Sequence, residues 1–272
     1  MTYLMRPEVR STTLLLLLIA STTALADPNE VARQAFFNIE ADPFSIQNLR
    51  NSGEQLSRAQ EAAPNEAWVL IALSRLYLEY GYRKGSRDKL SSYRAAAVEK
   101  ARELARQACT VAPEQSMSHI QWARIQIITE NYRDAWEALN KAHALDPDDF
   151  YPWYYRAVIG LTMKDPVRAE AALEEAERRA DAPYQIKWVA GRRIKLARLQ
   201  DDFKAEETHY KAAIDIDPMA PHPYGNYANF LRKHKRYDEA ISYYEKAVSL
   251  GSYPLAEEGL RATRLLKDAS QR

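Results

Sequence analysis

Residues 221–254 read PHPYGNYANFLRKHKRYDEAISYYEKAVSLGSYP, and their pattern decides the fold. Aromatic and apolar residues recur at helical spacing up to Leu231, a basic break follows at Lys235-Arg236, and a second amphipathic run starts at Tyr237. The stretch is one pair of helices joined by a short turn. Working outward, residues 116–149 repeat it: Tyr132 aligns with Tyr237, Ala135 with Ala240, Leu139 with Tyr244 and Ala142 with Ala247. Self-similarity at such a period means stacked helical hairpins, each burying its apolar face only against its neighbours.

The proline marks test the period. Pro113 to Pro147 is 34 residues, Pro147 to Pro218 is 71 and Pro218 to Pro254 is 36. Between the two clear units lie 150–183, with Trp153, Ala157, Ala169, Leu173 and Ala176, and 184–220, with Tyr210, Ala213 and Pro218. In the latter, Arg193 falls where an apolar residue is expected. Upstream, residues 67–115 form a unit with a polar insertion at 81–94, beginning GYRKGSRDKL, which reads as a solvated loop because its charges lack phosphate-loop spacing. Residues 27–66 supply N-terminal helices and a degenerate first unit, and 255–272 a closing helix with its charges facing outward.

These residues resemble tetratricopeptide repeats, a family of 34-residue helix–turn–helix units with small residues at positions 8, 20 and 27 and a proline near 32. The 116–149 unit has Ala123, Ala135, Ala142 and Pro147 at those places; the last has Ala228, Ala240 and Ala247, its proline two places late at Pro254. Small residues there let helices approach closely. The resemblance, over roughly 33–268, implies an all-α, right-handed superhelical solenoid. It also implies a concave groove lined by the first helix of each unit. On that groove it places Gln121 and Arg124, then Tyr151, Tyr154 and Tyr155, and finally Asn226, Asn229 and Arg232. The family's carboxylate clamp needs a lysine at position 5 and an asparagine at position 9; the last unit has Asn229 but Gly225.

Composition narrows the function. Lys+Arg 38 against Asp+Glu 37 gives a net charge of +1, with no basic excess to hold nucleic acid. One cysteine, Cys109, excludes a disulfide framework and a multi-cysteine zinc site, and reads as a buried, inert thiol. The five histidines never stand four apart, so His143 and His209 read as solvated surface residues and no metal site is expected. No nucleophile elbow, phosphate loop or opposed carboxylate pair is present, so neither a catalytic set nor a cofactor is expected.

Residues 1–26 read as a cleaved signal peptide: Arg6 and Arg10 precede the apolar run from Leu14, and Ala24-Leu25-Ala26 offers small residues to a signal peptidase. The apolar stretch falls short of the ~20 residues of a spanning helix, and no cysteine near the cleavage point would take a lipid. The mature chain is expected to be exported, periplasmic in a Gram-negative source, without stable membrane insertion. Its 36 basic and 36 acidic residues offer little repulsion against self-association. Two functions fit. One is an adaptor that takes a protein or peptide segment in its groove and supports assembly of an envelope or secretion complex. The other is a glycan-binding accessory subunit of polysaccharide or cell-wall export, its aromatic rings stacking on sugars.

Overall fold

A computed structural model describes residues 26–251 and 253–270; the segment read as a signal peptide, Ala26 apart, lies outside the described residues. Among the described residues thirteen helices follow one another: α1 (Pro28–Ala41), α2 (Ile46–Ala62), α3 (Ala67–Gly81), α4 (Ala95–Val111), α5 (Ser116–Ile128), α6 (Tyr132–Leu145), α7 (Phe150–Thr162), α8 (Pro166–Arg179), α9 (Pro183–Leu199), α10 (Phe203–Ile216), α11 (Pro221–Lys233), α12 (Tyr237–Leu250) and α13 (Pro254–Ser270). Among the described residues there is no strand, only an isolated bridge between Tyr82 and Tyr93, and no helix is long and apolar enough to cross a membrane. Consecutive helices pair as hairpins, and α13 closes the stack on α12 and α11. First helices touch first helices along the inner side, and the curve is tight enough for α1 to reach α9. The architecture is the all-α, right-handed superhelical solenoid.

The small residues of the repeat pattern sit where helices cross. Ala123, Ala135 and Ala142, Ala157, Ala169 and Ala176, and Ala228, Ala240 and Ala247 have no exposed surface. The core is continuous from α1 to α9, with a second aromatic cluster around Tyr210, Tyr227, Phe230 and Tyr244. Arg193, at the apolar place in α9, is carried by Glu177 of α8, whose carboxylate accepts from it at 2.8 and 2.6 Å. Two expectations are corrected. Neither His143 nor His209 is a fully solvated surface residue: the His143 ring packs edge-on against Trp153 at 5.1 Å, and both are half-buried. Cys109 is half-buried rather than sealed in the core, and donates to the Ser118 carbonyl at 3.3 Å.

Four hairpins turn in the same way. Glu130, Lys164, Asp201 and Lys235 follow the first helices with φ of 63°, 58°, 54° and 59°. The next amide in each case reaches back five residues: Asn131 to Gln126, Asp165 to Gly160, Asp202 to Ala197 and Arg236 to Leu231, at 2.8 to 3.0 Å. This is the left-handed closure that satisfies orphan carbonyls at a helix end, made here with side chains that pay about 1–2 kcal/mol for the conformation.

The α7/α8 hairpin yields two opposite expectations. A methyl at Gly160 would come within 2.8 Å of the Ala169 amide nitrogen, and backbone cannot give way. Gly160→Ala is therefore expected to lose about 1–2 kcal/mol despite alanine's better helix propensity. Lys164→Gly, freed from the left-handed penalty, is expected to gain about 0.5–1 kcal/mol. Urea midpoints of the two variants check both signs; a stabilising alanine at 160 would mean the helices are spaced more widely than described.

Candidate functional site

On the inner side of the first hairpins the chain buries charge. Glu40, at the end of α1, has no exposed surface, and one of its oxygens accepts from Arg75 Nε of α3 and from Arg124 Nη1 of α5, both at 2.6 Å. Its other oxygen, Oε2, is buried without a partner. Arg75 also donates to Glu79 one turn along α3, and Arg87, from the 81–94 insertion, donates to the same carboxylate, reaching Oε2 at 2.6 Å. Arg124 Nε donates to the Tyr155 hydroxyl of α7. Burial alone would raise the Glu40 carboxyl, but Arg124 and Arg75 overcome it and hold it below the usual carboxylate range. Glu79 behaves alike between Arg75 and Arg87. Removing one partner from such a buried network costs on the order of 3–5 kcal/mol.

The insertion is not the solvated loop its composition suggests. Its two ends are clasped, Arg83 N to Ser92 O and Arg94 N to Gly81 O, both at 2.9 Å, around a 3-10 turn at Leu90–Ser92. Tyr93 is buried and donates to the Arg87 carbonyl at 2.9 Å. At the tip, Asp88 accepts from both Nη atoms of Arg192 in α9, at 2.7 and 3.1 Å, with Lys195 3.7 Å away. Arg192 donates as well to the Tyr154 hydroxyl, at 3.0 and 2.8 Å. Burial disfavours the Asp88 charge, yet Arg192 outweighs it and keeps the carboxyl low. The insertion thus lies across the inner face, pinned by one carboxylate to a helix 104 residues away.

This placement corrects the groove residues read from the sequence. Gln121 has no exposed surface and donates to Ser74 Oγ at 3.0 Å. Arg124, Tyr151, Tyr154 and Tyr155 are also buried; the Tyr151 hydroxyl meets that of Tyr184 at 2.8 Å. These five pack inside, because the superhelix is tight and the insertion fills its N-terminal half. Asn229 is half-buried, its oxygen accepting from the Tyr244 hydroxyl at 2.6 Å and from Arg232 at 3.3 Å, so both belong to the contact between α11, α12 and α13. Only Asn226 of the eight is exposed. The missing clamp lysine has a physical cause: a Cβ at Gly225 would lie 2.5 Å from the ring of Tyr253, which covers that place. The network residues Glu40, Arg75, Glu79 and Asp88 escaped the sequence reading. An arginine and a glutamate inside IALSRLYLEYG, residues 71–81, were the available sign.

Three cavities open on this face. A chamber of about 230 Å³ lies under the insertion, between Arg75, Arg87, Arg124 and Arg192. A groove of about 590 Å³ runs between the α1–α2 turn and helices α9 to α11, walled by Tyr184, Trp188, Ile194 and Tyr210, with Gly191 and Asn226 along it. Phe44, 74% exposed, stands at its edge. A third, of about 690 Å³, sits where α5, α7 and α9 begin, with Phe37, Trp68 and Tyr184 below a rim that includes Asp146, Asp149 and Asp181. Among the described residues no group of three or more His, Cys, Asp or Glu is placed to hold a metal. The Cys109 thiol, 3.8 Å from His119 Nδ1, is pushed up to about 11 by burial and is a poor nucleophile at neutral pH.

Asp149 caps α7, accepting from Tyr151 N at 2.9 Å and Ser116 Oγ at 3.2 Å, but burial, helped by Asp146 and Asp181, raises its carboxyl to about 6. The unfolded chain gives up that proton near about 4, so this group's contribution is favourable below about 4 and is lost as pH rises through about 6. Asp149→Asn keeps a good cap. Denaturation is expected to find the variant level with the parent near about pH 4 and more stable by about 1–2 kcal/mol at about pH 7.5; an equal stability at both would deny the burial.

A tetratricopeptide-repeat family model matches residues 221–250. No curated protein matches the chain in sequence. Among solved structures the fold is similar to a chain of the APC/C hetero-tetramer Cut9-Hcn1, with a TM-score of 0.58 and 16% identity, covering 87% of this chain and 48% of that one. It is similar to yeast Tom70, with 0.60 and 17%, covering 91% and 51%. It is similar also to PilW, a widely conserved type IV pilus biogenesis factor, with 0.60 and 14%, covering 88% and 99%. The chain spans about half the length of the first two. At such identities the likeness is one of fold.

Proposed function

Taking as premise that this chain is a tetratricopeptide-repeat protein, we propose that it is an exported, non-enzymatic adaptor that holds an extended protein segment and supports assembly of an envelope complex. The observation that carries the reading is the groove along α9 to α11. The N-terminal half of the inner face is filled by the chain itself, whereas here Tyr184, Trp188 and Tyr210 flank an open channel of about 590 Å³. Aromatic walls of this kind supply contact area at low entropy cost, and the Asn226 amide at the margin offers both a donor and an acceptor to a peptide backbone. Export is supported by the signal-like pattern of residues 1–26, and an envelope role by the fold likeness to PilW over nearly the whole of that chain.

Gly191 gives a clean test. It is exposed on α9, lines the groove, and has open space where a side chain would project. Gly191→Arg should plug the channel while improving helix propensity by up to about 1 kcal/mol. In a pull-down from envelope extract of the source organism, the parent chain is expected to retain a protein that the variant loses, with the variant's Tm no lower. Equal retention by both would move the contact off the groove. Retention of glycan and no protein would replace the adaptor with a glycan-binding subunit.

A further inference from the structure

We propose that the chamber beneath the insertion is a binding site for a small carboxylate, separate from the partner groove. Three features of the chamber carry this: its charge balance, its donors and its walls.

Four arginines, Arg75, Arg87, Arg124 and Arg192, face three carboxylates, Glu40, Glu79 and Asp88, across the network, and Lys195 stands 3.7 Å from Asp88 at its margin. All three acids are held ionised by their arginines. Cations outnumber carboxylates here in a largely buried place, where an uncompensated charge is expensive. An anion offsets that excess.

The chamber is also rich in idle donors. The side chains of Arg75 and Arg124 are 7% and 9% exposed. Each spends Nε and Nη1 on the network, and among the described residues Nη2 of each has no acceptor. Arg87 Nε is buried and unpaired. The hydroxyls of Tyr154 and Tyr155 accept from Arg192 and Arg124, which leaves their own O–H groups to donate. The unpaired Oε2 of Glu40 does not line the chamber and does not meet this demand. A carboxylate presents two oxygens with about four lone-pair sites and accepts in the plane, the geometry that guanidinium forks meet.

The remaining walls are apolar: Pro43, Phe44, Leu78, Ile128 and Trp188. A volume of about 230 Å³ equals roughly seven or eight waters of bulk liquid. That is room for a carboxylate with a short aliphatic or aromatic body. Such a group has two sources, a free organic acid or an acidic side chain of a bound segment passing Phe44.

Calorimetric titration of the purified chain in low-chloride buffer tests this, with benzoate and butyrate as free acids and benzamide as the neutral isostere of benzoate. A blocked tripeptide with one central glutamate forms the second arm, beside its glutamine counterpart. Saturable binding of benzoate or butyrate, with benzamide silent, is the expected result. Binding of the glutamate peptide alone would uphold the carboxylate chemistry and name the bound segment as its source. Silence of both arms, or equal binding of benzamide and benzoate, would overturn the proposal. Tyr155→Phe keeps the ring and removes one donor, and is expected to weaken binding about three- to tenfold. If that variant does not fold, Arg87→Gln at the more exposed rim serves in its place, with the same loss expected. Gly191→Arg should bind the acids as the parent does, so failure of the adaptor reading and failure of this one are told apart.

Discussion

A carboxylate with no access to water can stay ionised only if cations come to it, and Glu40 brings two, from α3 and α5. The first three hairpins are thereby held at one point as well as by their apolar faces. Arg75 passes the link to Glu79, Glu79 to the insertion through Arg87, and Arg124 to α7 through Tyr155. Repeat arrays are stabilised mainly between neighbours, each hairpin against the next. Here a polar network adds contacts between units 35 and 84 residues apart in sequence, and the Asp88–Arg192 pair one of 104. A buried network of this kind adds little net stability over an apolar core but specifies one arrangement strongly, since every alternative leaves a charge unmatched.

That constraint divides the inner face into two regions of different character. Across α3 to α7 the surface that a solenoid would offer a partner is occupied by its own insertion, leaving a small arginine-lined chamber. Beyond Arg192 the face is open, and the walls change from charged to aromatic around Trp188 and Tyr210. Trp188 lines both spaces, so whatever occupies one touches a wall of the other. At the far end α13 stands where another first helix would stack, and its approach through Tyr253 closes the last unit over Gly225.

The repeat was legible in the sequence because its marks are packing requirements: an alanine at a helix crossing is needed whatever surrounds it, and Ala123, Ala157 and Ala228 are buried as the pattern requires. The candidate site was legible only in part. Repeat position says which face of a first helix turns inward, and that assigns Arg124, Tyr154 and Tyr155 to the inner side. Whether that side is open depends on superhelix curvature and on an insertion with no counterpart in the other units, and neither is local. The contact of Asp88 with Arg192 has no periodic signature at all. The left-handed conformation of the hairpin turns was hidden for another reason: those positions carry Glu, Lys, Asp and Lys, where a glycine would have announced it.

The docked insertion is the part of this account on which both the filled half-groove and the chamber depend, and amide hydrogen exchange across residues 82–94 tests it most directly. The amides of Arg83, Tyr93 and Arg94 are bonded to Ser92, Leu90 and Gly81. If the network holds the insertion in place, these amides exchange orders of magnitude more slowly than an unstructured chain and lose protection together when Arg192→Gln removes the anchor of Asp88. Exchange at the rate of an open loop in the parent protein would contradict it, and would return the whole inner face to the solvent.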